Sequence, residues 1–369
     1  MIIKQLGNKK VVWFKDTNEY IVIEPLVADI LSLLYQKIDK QEIISKIFSK
    51  IDIPYKEAEN LISNIENLLI SNNFTKQELA PVSKMKHFEY EKYYKINDII
   101  FKVCYLSEFE FSLVHPKFTH LEVEATLSSN HLFEVYSNTD LITFSINNTI
   151  IGTWALSDVH FFQGKFSMKI TELIHQKPEN KWLGVFHASA VSNNKESILF
   201  LGDSGNGKST SLALLQANGF TCLADDFVPI DAKKQEVYSF PSAISIKKNS
   251  LETLLPIYPE LKTSAEYHFK RLNKIVRYLP TNNINYQSKK PCKALIFIKY
   301  KKDSDLVVDK ISNIKAFEQL VPDSWLSSIQ ENVEIFLNWF SGLPCYQLTY
   351  SDNSKMITTV SKIFNDEQL

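Results

Sequence analysis

Leu199-Phe200-Leu201-Gly202-Asp203-Ser204-Gly205-Asn206-Gly207-Lys208-Ser209-Thr210 carries an apolar run straight into the pattern G-x-x-x-x-G-K-[ST]. A strand delivers the chain to a tight turn, and the glycines let backbone N–H groups converge with no Cβ in the way. The helix that follows turns its positive N-terminal end toward any phosphate held there. In such a cradle Gly202, Asp203, Ser204, Gly205, Asn206, Gly207 and Thr210 form the nucleotide-binding loop. Lys208 reaches the β- and γ-phosphates and Ser209 offers a hydroxyl to Mg²⁺. A glycine-rich surface turn is the plain alternative. It leaves unexplained why the loop joins the apolar stretch 198–201 to a helical face made by Leu212, Leu215 and Gln216-Ala217.

Asn218-Gly219 then supplies a helix stop, and Phe220-Thr221-Cys222-Leu223-Ala224 reads as a short strand ending in Asp225-Asp226. Carboxylates at the C-terminal end of a strand beside a phosphate loop stand where open α/β sheets bind ligands. One of the two can orient Mg²⁺ or its waters while the other accepts the proton of an attacking hydroxyl. Two such charges side by side raise one pKa unless a metal or Lys208 compensates. Upstream, Trp182-Leu183-Gly184-Val185-Phe186 reads as a strand that ends at His187. The segment Ala188-Ser189-Ala190-Val191 and a turn at Ser192-Asn193-Asn194-Lys195 lead back to the loop. This places His187 on the strand beside the one that feeds the loop, where an imidazole can orient or polarise an aspartate, or else serve as a structural hydrogen-bonding group.

His187-Ala188-Ser189-Ala190, the loop from Gly202 to Ser209, and Leu223-Ala224-Asp225-Asp226 together resemble the core of the HPr kinase/phosphorylase superfamily. The resemblance implies ATP and Mg²⁺ as cofactors and a protein serine hydroxyl as acceptor. It makes Lys208, Ser209, Asp225 and Asp226 the phosphate and metal residues, with His187, Lys208, Asp225 and Asp226 at the catalytic centre. The chain departs from true HPr kinases in having Thr210 where they carry a glutamate, and the carboxy-terminal phosphorylase signature is not evident. HPr itself is therefore not assigned as the substrate.

The first 75 or so residues carry a second pattern. Lys9-Lys10-Val11-Val12-Trp13-Phe14 and Tyr20-Ile21-Val22-Ile23 read as two strands across an Asp16-Thr17-Asn18 turn. Three helices follow. Their apolar stripes are Leu26, Ile30, Leu31 and Leu34; then Ile43, Ile44 and Ile47; then Ala58, Leu61, Ile62, Ile65, Leu68 and Leu69. This hairpin with three helices looks like the PqqD-like, winged-helix-like element that brings leader peptides to maturation enzymes. That resemblance implies strand addition by a precursor peptide, with Trp13, Tyr20 and Val22 as candidate groove residues. A structural appendage without a peptide partner is the other reading.

Residues 71–81 are polar, end in Pro81 and read as a linker. Repeated period-two alternation from 88 to about 175 predicts a β-rich lobe, with a strand at 121–125 among others. Strand candidates also lie at 228–230, 237–246 and 292–300. The segment 267–280 is basic and holds the only arginines of the chain, Arg271 and Arg277. Either a guanidinium there clamps a nucleotide or transferring phosphate, with Arg277 favoured, or the stretch is a solvated basic helix.

A formal net charge of -1 gives no broad attraction to nucleic acid. No apolar run approaches a membrane span, and Met1-Ile2-Ile3-Lys4 does not begin a signal peptide, so a cytoplasmic location is expected. Cys104, Cys222, Cys292 and Cys345 lack metal-ligand spacing and read as reduced core thiols.

The expected fold is therefore α/β: a P-loop kinase core of the HPr kinase type over 181–369, a β-rich lobe over 81–180, and a PqqD-like leader-recognition domain over 1–80. The expected function is ATP-dependent phosphorylation of a serine hydroxyl in a ribosomally made precursor peptide or a protein. The alternatives are a kinase for a small-molecule alcohol and a nucleotide-responsive peptide-binding adaptor. Self-association into a homo-oligomer is the expected assembly.

Overall fold

The computed structural model describes residues 1–70, 79–84, 87–125, 128–269 and 274–369. Most of the linker at 71–81, and Arg271, lie outside the described residues. The fold is mixed α/β and forms two compact units.

In the first unit, strands Ile2–Leu6, Lys9–Phe14 and Glu19–Ile23 form an antiparallel meander, followed by helices Pro25–Tyr35, Lys40–Phe48 and Tyr55–Ile70. Pro25 opens the first helix at a position where no N–H is needed, and Asp39 caps the second by accepting from the Gln41 N–H. Val12, Phe14, Ile30, Leu31, Ile43, Ile47, Ala58, Ile62 and Ile65 close its core, so the helical stripes lie where their periodicity puts them. The strand at Ile2–Leu6 was not in the two-strand reading. Its signal was the Gly7-Asn8 turn, with Gly7 at φ 58°.

The chain also returns to this unit at 311–322 and 326–342, which division at residue 80 does not include. Helices Asn313–Leu320 and Gln330–Gly342 bring Phe317 and Phe336 edge-on against Tyr20, at 5.9 and 6.0 Å between ring centroids. Trp13 is fully buried and donates from Nε1 to Asn18 Oδ1 at 2.8 Å. Trp13 and Tyr20 are thus packed inside the unit and do not line an open groove. Strand alternation alone could not reveal this, because the covering helices lie some 300 residues away in sequence.

The second unit carries two large sheets. One has strands Tyr90–Ile96, Ile99–Tyr105, His131–Ser137, Leu141–Ile146 and Thr149–Ala155, with the short Glu122–Val123 at its edge. Helices Glu108–Phe118 and Val159–His175 accompany it, the first fixed by a capping box between Ser107 and Glu110. Phe133, Phe144 and Phe166 pack at 5.1 to 5.3 Å to form its core. The strand read at 121–125 shrinks to two residues, because Thr119–Leu121 closes a helical turn first.

In the other sheet the order runs Thr221–Asp225, Ser189–Ser192, Ser197–Leu201, Lys289–Tyr300. The twelve-residue strand Lys289–Tyr300 is where the sheet branches. Its first residues pair with Glu236–Tyr238, and its last run parallel to Cys345–Tyr350. Helix Lys208–Ala217 packs Leu212, Ala213, Leu214 and Leu215 into a core shared with Met356, Val360 and Ile363 of helix Asn353–Phe364. The strand read at 237–246 is broken after Tyr238 and resumes as Ile244–Lys247. Within the basic stretch at 267–280, Tyr267–Phe269 and Lys274–Leu279 pair as antiparallel strands and are not helical. Among the described residues no helix is long and apolar enough to cross a membrane.

Three buried histidines of this unit contribute to its acid sensitivity. Burial holds His115, His120 and His175 down to about 4, well below the ordinary imidazole value. In the unfolded chain each takes up a proton near pH 6.5, while in the folded protein it stays neutral until about pH 4. The stability they contribute is therefore complete above pH 6.5 and is lost as pH falls toward 4, each by on the order of 1–3 kcal/mol. Denaturant titrations at pH 7.5, 6 and 5 are expected to show the midpoint falling steadily, and His175→Gln is expected to reduce that slope.

Candidate active site

The strand Ser197–Leu201 ends at Gly202, and helix Lys208–Ala217 starts after Gly207. Gly202, Gly205 and Gly207 have φ of 131°, 100° and 96°, values that disfavour any residue with a Cβ. At Gly202 a Cβ would also lie 2.9 Å from the Ile298 carbonyl oxygen, whereas at Gly205 it would meet nothing within 4 Å. Gly202→Ala is therefore expected to cost on the order of 1–3 kcal/mol in backbone strain alone, with the clash added. Chemical denaturation should show it clearly more damaging than Gly205→Ala.

The loop is tied internally. The Asn206 N–H donates to the Asp203 carbonyl at 3.2 Å, and the Tyr300 N–H donates to the Asn206 carbonyl at 3.0 Å. The Lys208 ammonium donates to the Gly202 carbonyl and, at 3.4 Å, to that of Asp203. Lys208 is thus folded back over the loop with its stem buried. Gly202, Asp203 and Asn206 shape the cradle. Ser204, Gly205, Gly207, Lys208, Ser209 and Thr210 line the cleft above it, together with His187 and Asp226.

Register explains the neighbouring groups. Ser189, the first residue of its strand, stands opposite Phe200 on one side and Asp225 on the other. Antiparallel pairing on both sides points strands Ser197–Leu201 and Thr221–Asp225 the same way, so Asp225 arrives at the end of the sheet where the loop begins. Asp225 is buried. Its Oδ1 accepts from Ser189 Oγ at 2.6 Å and Ser209 Oγ at 3.2 Å, and its Oδ2 accepts from the Ser245 N–H at 3.1 Å. Burial, joined by the charge of Asp226, pushes its pKa up to about 6 in spite of those three donors.

Asp226 is half-buried and sits in the left-handed region at φ 61°. Aspartate tolerates that conformation better than most residues, and it swings the second carboxylate out of the strand into the cleft. His187 Nε2 lies 4.0 Å from Asp226 Oδ1. His187 is not on a strand. It occupies the bend where the chain leaves Trp182–Phe186 for Ser189–Ser192, and the Ala188 N–H closes that bend on the Phe186 carbonyl at 2.9 Å. The strand beside the loop strand is the one that begins at Ser189, so the bend carries the imidazole to the same end of the sheet.

Arg277 is not brought to the cleft. Ser245 and Lys247 face the cleft, while Arg277 is opposite Ile246 and shares its other face. Its guanidinium donates to the Ser264 and Lys262 carbonyls and to Glu266. Four residues escaped the sequence reading: Ser189, Ser245, Lys247 and Ser250. Lys247 Nζ donates to Ser204 Oγ at 2.7 Å, and Ser250 Oγ shares a 2.7 Å hydrogen bond with Thr210 Oγ1. The one signal available was the alternation Ser245-Ile246-Lys247, which sets two polar groups on one face.

The arrangement offers N–H groups and lysines to an anion, a recessed carboxylate beside a hydroxyl, and a second carboxylate near an imidazole. Ser209 and Asp225 present hard oxygen ligands of the kind magnesium prefers. Among the described residues no three His, Cys, Asp or Glu side chains cluster as a metal cage. Magnesium typically takes one or two protein ligands and completes its shell with phosphate and water, so this donor set fits it.

No family model matches the chain, and no curated protein matches it. Among solved structures, the Hpr(Ser) kinase/phosphatase from Coxiella burnetii is 8% identical with a TM-score of 0.22, over 49% of this chain and 94% of that one. A likeness of that size carries no argument, and the site stands on its own geometry.

Proposed function

We propose that the chain is an ATP-dependent kinase that phosphorylates a serine hydroxyl of a precursor peptide or protein presented by its N-terminal unit. The observation that carries the reading is the division between the two aspartates. Asp225 is recessed and hydrogen-bonded to Ser209, while Asp226 reaches the cleft beside His187. The loop N–H groups and Lys208 hold the β- and γ-phosphates, and Lys247 lies over the loop where it adds positive charge. Ser209 and Asp225 would hold Mg²⁺, which supplies further neutralisation of the phosphates. Asp226 takes the proton of the acceptor hydroxyl, whose oxygen bonds to the γ-phosphorus as the bond to the β,γ-bridging oxygen breaks and ADP leaves. His187 orients the Asp226 carboxylate.

The resemblance of 187–190, 202–209 and 223–226 to the HPr kinase superfamily supports the reaction class. The strand and helix pattern of 1–70 supports a peptide partner, with strand addition at a sheet edge as the mode, since Trp13 and Tyr20 are already packed. The test is mass spectrometry of candidate precursor peptides, intact and leader-truncated, after incubation with the protein and Mg²⁺-ATP. A leader-dependent gain of one phosphoryl group supports the proposal. Transfer to small alcohols with none to peptides overturns the peptide acceptor, and peptide binding without any transfer overturns the kinase.

A further inference from the structure

The sheet has different chemistry on the two sides of the loop strand Ser197–Leu201. Toward Ser189–Ser192 and Thr221–Asp225 lie the two aspartates and His187. On the other side Lys289–Tyr300 runs parallel to the loop strand, with Phe297 opposite Leu201. Tyr300 stands three residues further on, roughly 10 Å along the strand at about 3.3 Å per residue, which carries it past the end of the loop strand to the level of the loop. Residues Ala294 to Ile298 of its strand are buried, whereas Tyr300 is 46% exposed.

That exposed ring is held against the phosphate cradle. The Tyr300 N–H donates to the Asn206 carbonyl at 3.0 Å. A Cβ on Gly207, a residue of the cleft, would lie 3.3 Å from the Tyr300 Cβ, so no side chain separates the loop from the tyrosine. Tyr350, the register partner of Tyr300, meets its ring edge-on at 5.5 Å between centroids. Tyr350 is itself buried, and its hydroxyl shares a 2.8 Å hydrogen bond with Ser211 Oγ. Past Tyr300 the chain turns, the Ser304 N–H donating to the Lys301 carbonyl at 3.2 Å, and Ser351 Oγ donates to the Ser304 carbonyl at 2.7 Å. The ring is therefore propped before any ligand arrives, which lowers the cost of ordering it on binding.

A nucleotide whose triphosphate fills the loop has two ends. Its γ-phosphoryl group faces Asp226, where the acceptor hydroxyl gives up its proton, so its nucleoside leaves the loop away from that carboxylate. The cleft wall formed by Ser245, Lys247, Asn249 and Ser250 offers hydroxyls, an amide and an ammonium, and no flat apolar surface. Tyr300 offers that surface on the side away from the aspartates. We propose that the exposed face of Tyr300 is the platform on which the base of the nucleotide stacks, and that this base is a purine. The inference rests on the kinase reading for the triphosphate and supplies the nucleoside half of the site. Stacking senses the area of a ring and not its hydrogen-bonding edge, so ATP and GTP are held alike and CTP less tightly.

The experiment is calorimetric titration of the full chain, in Mg²⁺, with ATP, GTP, CTP and inorganic tripolyphosphate, which carries the phosphates without a base. ATP and GTP are expected to bind alike, CTP several-fold more weakly, and tripolyphosphate about tenfold more weakly or worse. Tyr300→Leu keeps an apolar side chain beside Tyr350 but removes the aromatic face. It should weaken ATP about tenfold and leave tripolyphosphate unchanged, while Tyr300→Trp restores ATP affinity. ATP affinity that Tyr300→Leu leaves intact overturns the platform, as does a failure of Tyr300→Trp to restore it. Equal weakening of ATP and tripolyphosphate in Tyr300→Leu also overturns it, since Tyr300 then only supports the loop. CTP bound as tightly as ATP overturns the purine preference. Each of these results leaves the kinase reading standing, whereas a parent protein that binds none of the four ligands overturns the loop assignment and the platform together.

Discussion

Lys208→Ala is expected to remove phosphoryl transfer almost entirely, lowering kcat by about 10²–10³ fold while the protein remains folded. The lysine does two things. Its ammonium donates to the Gly202 and Asp203 carbonyls and so holds the loop in its curve. On the kinase reading it is also the cation of the loop that meets the charge building on the β- and γ-oxygens. The side chain is nearly buried, so its loss leaves a hole at the loop that solvent fills and a pair of carbonyls that water satisfies. Fluorescence-detected ATP binding should weaken less than transfer does, because the loop N–H groups and Lys247 remain. A variant that binds and transfers like the parent would sink the assignment of the loop.

The loop, the helix after it and the paired aspartates were legible because local chemistry forces them. Only glycine accommodates the φ values found at 202, 205 and 207, and an apolar strand before them leaves few alternatives. The same holds for the first unit's helices, whose stripes at 43, 44 and 47 and at 58, 62 and 65 fall in its core. What stayed hidden depends on partners remote in sequence. Ser189 matters because register sets it between Phe200 and Asp225, and register is not written in its neighbours. Arg277 looked like a phosphate clamp by charge, yet its place across from Ile246 sends it to the face opposite Ser245 and Lys247. Trp13 and Tyr20 look like groove residues until helices Asn313–Leu320 and Gln330–Gly342 return to cover that face. The branch of the sheet at Lys289–Tyr300 is equally non-local, since one strand there serves two sets of partners.

The two aspartates should separate cleanly by mutation, because their surroundings differ although they are adjacent. Asp226→Asn keeps the shape and the left-handed backbone, which asparagine also tolerates, but it removes the base. Its expected effect is a fall in kcat of about 10²–10⁴ fold with ATP affinity nearly unchanged. Asp225→Asn acts on a different quantity. Ser189 and Ser209 hydroxyls and the Ser245 N–H converge on that carboxylate, so an amide in its place either sets an N–H against the Ser245 N–H or turns that N–H to the hydroxyls and gives up both as donors. Expected there are a higher Mg²⁺ requirement for half-maximal rate, turnover at saturating Mg²⁺ well above that of Asp226→Asn, and some loss of stability. On the roles proposed above, in which His187, 4.0 Å from Asp226 Oδ1, orients the carboxylate that takes the proton, His187→Ala should resemble a milder Asp226→Asn. Measuring kcat against Mg²⁺ and ATP concentration for all three variants distinguishes these outcomes. If Asp225→Asn loses turnover at saturating Mg²⁺ as severely as Asp226→Asn, the division of labour between recessed and exposed carboxylate is wrong, and the pair must work as one coupled unit.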